Sequence, residues 1–127
     1  MEDVLVETRT VLVVDDDADM QFLMGMYASE AGYEVVGHVG DGRAAVEAWQ
    51  QHRDAGTPLN AIVLDQMMPH LTGLEVISEI RPHDEDVVLV LISAAMSAGL
   101  ASAAQSAGVT HALSKTDLRE LTSALSA

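Results

Sequence analysis

Asn60-Ala61-Ile62-Val63-Leu64-Asp65-Gln66-Met67-Met68-Pro69-His70-Leu71-Thr72-Gly73 is the stretch on which the reading of this chain turns. Ala61 to Leu64 make a short apolar run with β-branched residues at its centre, the pattern of a strand covered on both faces. Such a strand ends at Asp65 and delivers its carboxylate to the carboxyl edge of a sheet. Pro69 and Gly73 then interrupt regular structure, which leaves Asp65 at the mouth of a loop. Ligands of open α/β sheets bind along that edge. A lone Asp closing a strand is also what an ordinary turn or helix cap would place there, so the rest of the chain has to decide.

A second buried-strand pattern, Thr10 to Val14, runs straight into Asp15-Asp16-Asp17. Met20, Leu23, Met24, Tyr27, Ala28 and Ala31 then recur at helical spacing, Asp17 suits the N-cap, and Gly32 ends the helix. Tyr33 to Val39 reads as a strand, Asp41-Gly42 as a turn, and Arg43 to His52 as an amphipathic helix with Ala45, Val46 and Trp49 inward. Past the Asp65 strand, Leu74 to Ile80 form a short helix that Pro82 stops, and residues 82–86 form a polar loop. Val87 to Ile92 is the most apolar strand and ends at Ser93. Ser97 to Ala107 is a helix of Ala, Ser and Gly with Leu100 as its one large apolar side chain, so burial gives it little anchorage. Val109 to Leu113 is a last strand, Ser114-Lys115 follows, and Leu118, Leu121 and Leu125 share one face of a terminal helix. Five strands alternating with five helices specify an α/β fold, a doubly wound five-stranded parallel sheet of flavodoxin-like order 2-1-3-4-5.

Composition narrows the function. A chain of 127 residues suits one domain, and no apolar run approaches the roughly 18 residues of a membrane span. The acidic N-terminus lacks the plan of a signal peptide, so a cytoplasmic location is expected. Without cysteine there is no disulfide, thiolate nucleophile or thiolate metal site. A formal net charge of −14 repels nucleic-acid backbones and anionic membranes and favours a basic partner or a divalent cation. No G-x-G-x-x-G follows the first strand, which sets dinucleotide binding aside. The five histidines show no ligand spacing and fall mostly in loops or on polar faces. The methionines read as core filler, with Met67 and Met68 beside the Asp65 loop.

Strands one, three, four and five end at Asp15/Asp16, Asp65, Ser93 and Lys115. In the order 2-1-3-4-5 those ends lie side by side. Three carboxylates near one point repel unless a cation joins them, and an all-oxygen site of this kind suits Mg²⁺. A carboxylate beside Mg²⁺, a hydroxyl and an ammonium has the parts that phosphoryl transfer needs.

The joint pattern VLVVDDD (11–17), AIVLDQMMPHLTG (61–73), VLISA (90–94) and SK (114–115) resembles the receiver domains of bacterial two-component response regulators, over nearly the whole chain. The resemblance implies a single receiver domain over 1–127, with its core at about 10–125, and it supplies part of the case for the strand order. It implies that Asp65 accepts a phosphoryl group from a sensor histidine kinase or histidine phosphotransfer protein and so switches binding to a downstream protein target. Asp15, Asp16, Asp65 and the Met67 carbonyl would hold Mg²⁺ or Mn²⁺, while Ser93 and Lys115 would contact the phosphoryl oxygens. Such a domain is a signalling phosphoacceptor rather than an enzyme, and neither nucleic acid nor membrane is expected as a direct partner.

Two positions depart from the family pattern. Thr116 follows Lys115 where a cis proline is common, and Ala112 stands where an aromatic rotamer switch is usual, so a shift or ordering of the helix at 97–107 is the expected readout. A pseudo-receiver that only binds protein is the main alternative. An Asp-nucleophile phosphatase fits less well, because Asp19 stands where its motif has Thr or Val and no cap segment exists. An EF-hand is excluded by Met20 and Met26 at its Gly and Glu positions.

Overall fold

The alternation of strand and helix patterns is realised as one twisted parallel sheet. The computed structural model describes residues 8–126. Within them β1 (Arg9–Val14), β2 (Tyr33–Val39), β3 (Ala61–Asp65), β4 (Val88–Ser93) and β5 (His111–Ser114) pair in parallel in the order β2-β1-β3-β4-β5. The expected fold class and strand order are therefore observed. The acidic N-terminal stretch through Glu7 lies outside the described residues.

Because side chains along a strand alternate between faces, each strand feeds two cores. Leu12, Val14, Ile62, Leu64, Leu89 and Leu91 point to one face. There they meet α2 (Gly42–Asp54), α3 (Gly73–Ile80) and α4 (Ala98–Ala107). Val11, Val13, Val63, Val90 and Ile92 point to the other, against α1 (Ala18–Glu30) and α5 (Leu121–Ser126). All of β3 is buried, as a central strand with helices on both sides must be.

Helix ends follow local chemistry. Asp17 caps α1 by accepting from the Asp19 N–H, as expected, and Asp41 caps α2 through Ala44. Thr72 and Glu75 close a reciprocal capping box on α3, a signal read in the sequence only as the Gly73 break. Beyond Ile80 the chain tightens into a 3₁₀ turn, Arg81–His83, containing Pro82. Trp49 is buried as expected, and its indole N–H donates to Asp84 at 2.9 Å.

Several boundaries differ from expectation. β5 begins at His111 rather than Val109, because Gly108 takes a left-handed conformation at the end of α4 and the Val109 N–H stays with the Ala104 carbonyl. The terminal helix is preceded by a 3₁₀ segment, Lys115–Glu120, which holds Leu118; Leu121 and Leu125 sit in α5, and all three are buried. Met24 is core, but Met26 and Met67 are exposed, so the methionines are not uniformly filler. His38 and His111 lie in strands rather than loops.

The sparse anchorage of α4 is as the composition suggested: Ala104 is its only buried residue. Its C-terminal end is nonetheless held, since Arg81 Nε donates to the Gly108 carbonyl at 2.8 Å and its Nη1 to the Asp84 carbonyl at 3.0 Å.

Gly73 is where α3 passes beneath the β3 edge. A Cβ there would lie 2.5 Å from the Asp65 carbonyl oxygen and 2.6 Å from Leu91 Cδ1. Gly73→Ala should therefore cost about 3 kcal/mol by overpacking, seen as a lower urea midpoint. Gly99→Ala, with only Ser97 Oγ at 3.9 Å, should instead raise stability by roughly 0.5–1 kcal/mol, the helix-propensity difference.

Candidate functional site

The sheet order brings four strand ends to one edge. Ile92 of β4 is in register with Asp65, and Ser114 of β5 is in register with Ser93, so Asp65, Ser93 and Lys115 step across adjacent strands. Asp15 and Asp16 leave β1 on the other side of β3. Among the described residues, the buried polar or charged side chains are Asp15, Asp65 and Ser93, and all three belong to this edge. Burying polar groups costs free energy unless they are paired, so a fold that concentrates them here uses them.

Lys115 is the pairing group. Its Nζ lies 3.3 Å from Asp65 Oδ1 and 3.6 Å from Asp15 Oδ2. Ligand oxygens of Asp15, Asp16 and Asp65 all fall within 4.8 Å of one another. Asp15 Oδ1 accepts the Asp17 N–H at 2.9 Å, but its Oδ2 is buried with no hydrogen-bond partner. A buried anionic oxygen with no hydrogen bond, offset only by the Lys115 ammonium at 3.6 Å, stands among three converging carboxylates beside the exposed Asp16, and this fits an oxygen-preferring divalent cation.

Burial drives the Asp15 carboxyl above its usual carboxylate range. The Asp17 N–H and Lys115 oppose that rise, and the charges of Asp65 and Asp16 add to it. Burial works to lower the Lys115 ammonium, yet the Asp65 and Asp15 carboxylates hold it above its ordinary value.

Ser93 Oγ accepts the Ala95 N–H at 3.1 Å, which leaves its proton to donate elsewhere. Asp65, Ser93 and Lys115 line one cleft of about 290 Å³ whose other walls include Met67, Ala94 and Leu100. The Met67 side chain is exposed. Among the described residues its carbonyl accepts no backbone hydrogen bond, whereas the Gln66 carbonyl is taken by Gly73. Asp15, Asp16, Asp65, Met67, Ser93 and Lys115 all lie along this edge. The peptide after Lys115 is trans, as expected with Thr116 in place of proline, and Ala112 lies half-buried on β5.

Other contacts had no readable signal. Gln66 Oε1 accepts the Leu74 N–H at 2.9 Å and so ties the residue after Asp65 to the start of α3. Gln21, six residues beyond Asp15, donates to the Asp15 carbonyl at 2.6 Å. His70 adopts φ 70°, a left-handed conformation uncommon outside glycine, with Nδ1 3.6 Å from Asp41 Oδ1. The Gly42 N–H donates to the Pro69 carbonyl, which clamps this loop to α2. Positive φ and side-chain reach follow from packing, and a residue list does not show them.

A doubly wound sheet with three acids at its carboxyl edge, two of them bridged by a lysine, narrows the class to α/β proteins that handle anionic groups there. Within it the chain belongs to the response regulator receiver domains of two-component systems: the family described as "Response regulator receiver domain" matches residues 11–126. The chain is similar to chemotaxis protein CheY of Thermotoga maritima, 33% identical over 86 residues, which are 68% of each chain. It is also similar to the transcriptional regulatory protein PrrA of Mycobacterium tuberculosis, 37% identical over 89 residues, 70% of this chain and 36% of that protein. The chain thus spans about a third of that longer relative. The response regulator domain of Thermotoga maritima CheB superposes with a TM-score of 0.74 at 25% identity, covering 94% of this chain and 91% of that one. No helix among the described residues is long and apolar enough to cross a membrane.

The raised Asp15 carboxyl fixes the sign of a pH effect. In EDTA the folded chain holds that proton at pH values where the unfolded chain has lost it. Asp15 should therefore favour unfolding increasingly as pH rises through its elevated value, with no further change above it. Asp15→Asn should flatten this slope and raise metal-free stability at pH 7, checked by urea unfolding from pH 4 to 7.

Proposed function

We propose that the chain is a phosphoacceptor switch in which Asp65 takes a phosphoryl group from the phosphohistidine of a sensor histidine kinase or histidine phosphotransfer protein. The observation that carries this reading is the Lys115 ammonium lying between Asp65 and Asp15, with the buried Asp15 Oδ2 held by that ion pair alone and by no hydrogen bond. Asp65 Oδ attacks phosphorus, the bond from phosphorus to the imidazole nitrogen breaks, and the nitrogen keeps the electron pair. The product is an acyl phosphate on Asp65.

Mg²⁺ or Mn²⁺, held by Asp15, Asp16, Asp65 and the Met67 carbonyl, would neutralise charge on the phosphoryl oxygens. Lys115 binds one phosphoryl oxygen through its ammonium, and the Ser93 hydroxyl, whose proton is free, donates to another. The chain has only six Lys and Arg against twenty Asp and Glu, so the protein surfaces that meet it, donor or target, are expected to present basic residues around the contact. The cleft is small and none of the described residues caps it, which suits a donor that arrives on another protein better than turnover of a free phosphate ester.

Readout belongs to α4. Ser93 leads directly into the turn before that helix, Ala112 offers no aromatic ring to rotate, and α4 is fastened chiefly at its Gly108 end. A Ser93 hydroxyl drawn toward a phosphoryl oxygen would move the free end of α4 most.

Acetyl phosphate with Mg²⁺ should add the mass of one phosphoryl group to Asp65. EDTA or Asp65→Asn should abolish the adduct, and Lys115→Ala should slow its formation on the order of a hundredfold, the cost of one lost oxyanion donor. A chain that neither acetyl phosphate nor a phosphorylated kinase modifies would instead be a protein-binding pseudo-receiver. Turnover of a small phosphate ester would favour the phosphatase.

Hydrogen exchange across residues 97–113 should change when a phosphoryl mimic and Mg²⁺ are added. Unchanged protection there would remove α4 as the output element.

A further inference from the structure

We propose that Gln21 is the positioning residue that presets Asp15 and Asp16 for a divalent cation, an inference that rests on the phosphoacceptor reading. Gln21 is the fourth residue of α1, and side chains on a helix lean toward its N-terminus. Its Nε2 donates to the Asp15 carbonyl at 2.6 Å and, more weakly, to the Val39 carbonyl at 3.4 Å. The Val39 carbonyl also accepts the Asp15 N–H at 3.0 Å. One side-chain amide therefore joins the ends of β1 and β2 just where their ladder stops at Val14 and Val39.

The two acids are held by different means. The Asp15 carboxylate is fixed by the Asp17 N–H and by Lys115. Asp16 is exposed, and among the described residues no hydrogen bond or ion pair restrains its side chain. It inherits its place from the backbone. The Asp15 carbonyl and the Asp16 nitrogen share one planar peptide unit, so the group that fixes that carbonyl also fixes the plane from which Asp16 departs. Gln21 is that group. Mg²⁺ demands near-octahedral geometry at about 2.0–2.1 Å, so a loose Asp16 would have to be ordered on binding at the expense of affinity.

Loss of the Gln21 donor should therefore weaken metal binding while leaving the chemistry of the loaded site alone. Gln21 is half-buried, so water can replace it on the two carbonyls and the fold should survive. Gln21→Met keeps length and helix propensity and removes the donor. Gln21→Glu sets an acceptor against two acceptors. Three measurements separate the outcomes: Mg²⁺ binding to the unphosphorylated chain by calorimetry, melting in EDTA, and the rate of acetyl phosphate labelling against Mg²⁺ concentration.

For Gln21→Met the Mg²⁺ dissociation constant and the half-saturating Mg²⁺ concentration should both rise about tenfold, as for loss of groups that orient metal ligands. The labelling rate at saturating Mg²⁺ and the metal-free melting temperature should stay close to those of the unsubstituted chain. Gln21→Glu should be impaired at least as much. Unchanged Mg²⁺ affinity in both variants overturns the proposal. So does a lower metal-free melting temperature, or a lower saturating rate, with the half-saturation point unmoved. If the unsubstituted chain itself binds no Mg²⁺ and takes no label, the phosphoacceptor reading fails too. If it does both while the variants match it, only the role of Gln21 falls.

Discussion

One ammonium between two buried carboxylates is the interaction around which this molecule is arranged. Removing a charge from water costs several kcal/mol even after relaxation, and Lys115 compensates two such charges, Asp15 and Asp65, at 3.6 and 3.3 Å. The pairing is incomplete by construction, since two or three negative charges share one positive one. The rest of the domain supplies what holds this arrangement together. Leu12, Val14, Ile62, Leu64, Leu89 and Leu91 on one face, with Val11, Val13, Val63, Val90 and Ile92 on the other, are fully or almost fully removed from water. Their burial fixes the strand ends that hold the acids close.

Rigidity is graded outward from that edge. β3 is buried throughout, and Gly73 brings α3 into contact with the carbonyl of Asp65 itself. Gln66 reaches from the residue after Asp65 to the first turn of α3, and Gln21 reaches from α1 back to Asp15. Beyond β4 the packing thins, and no residue of β5 is fully buried. Ser93 is buried, but the helix that follows buries only Ala104 and depends on Arg81 at its far end. The site thus stands on firmly buried β1, β3 and β4, while α4, which follows Ser93, is lightly held, so the proposed readout through α4 would leave the sheet undisturbed.

Much of this was legible in advance because buried parallel strands have a strong signature. Val11 to Val14, Ala61 to Leu64 and Val88 to Ile92 are apolar runs too short and too β-branched for helices, and each is followed by a residue of the site. The last strand was less legible. Val109 is as apolar as any strand residue, yet the left-handed turn at Gly108 keeps it with α4, and only the hydrogen-bond pattern separates the two. Met67 and Met26 show the same limit. A methionine satisfies core and surface equally well in composition, and its neighbours decide which it meets.

Residue type and short-range spacing are enough to set the order of elements, the side chains at each strand end and the sign of the surface charge. Only packing places Lys115 between Asp15 and Asp65, leaves one buried Asp15 oxygen without a hydrogen bond, and sets Gln21 across the β1–β2 end. Those relations join residues from six to a hundred positions apart. Their distances come from how five strands and five helices pack, and local preference carries no term for that.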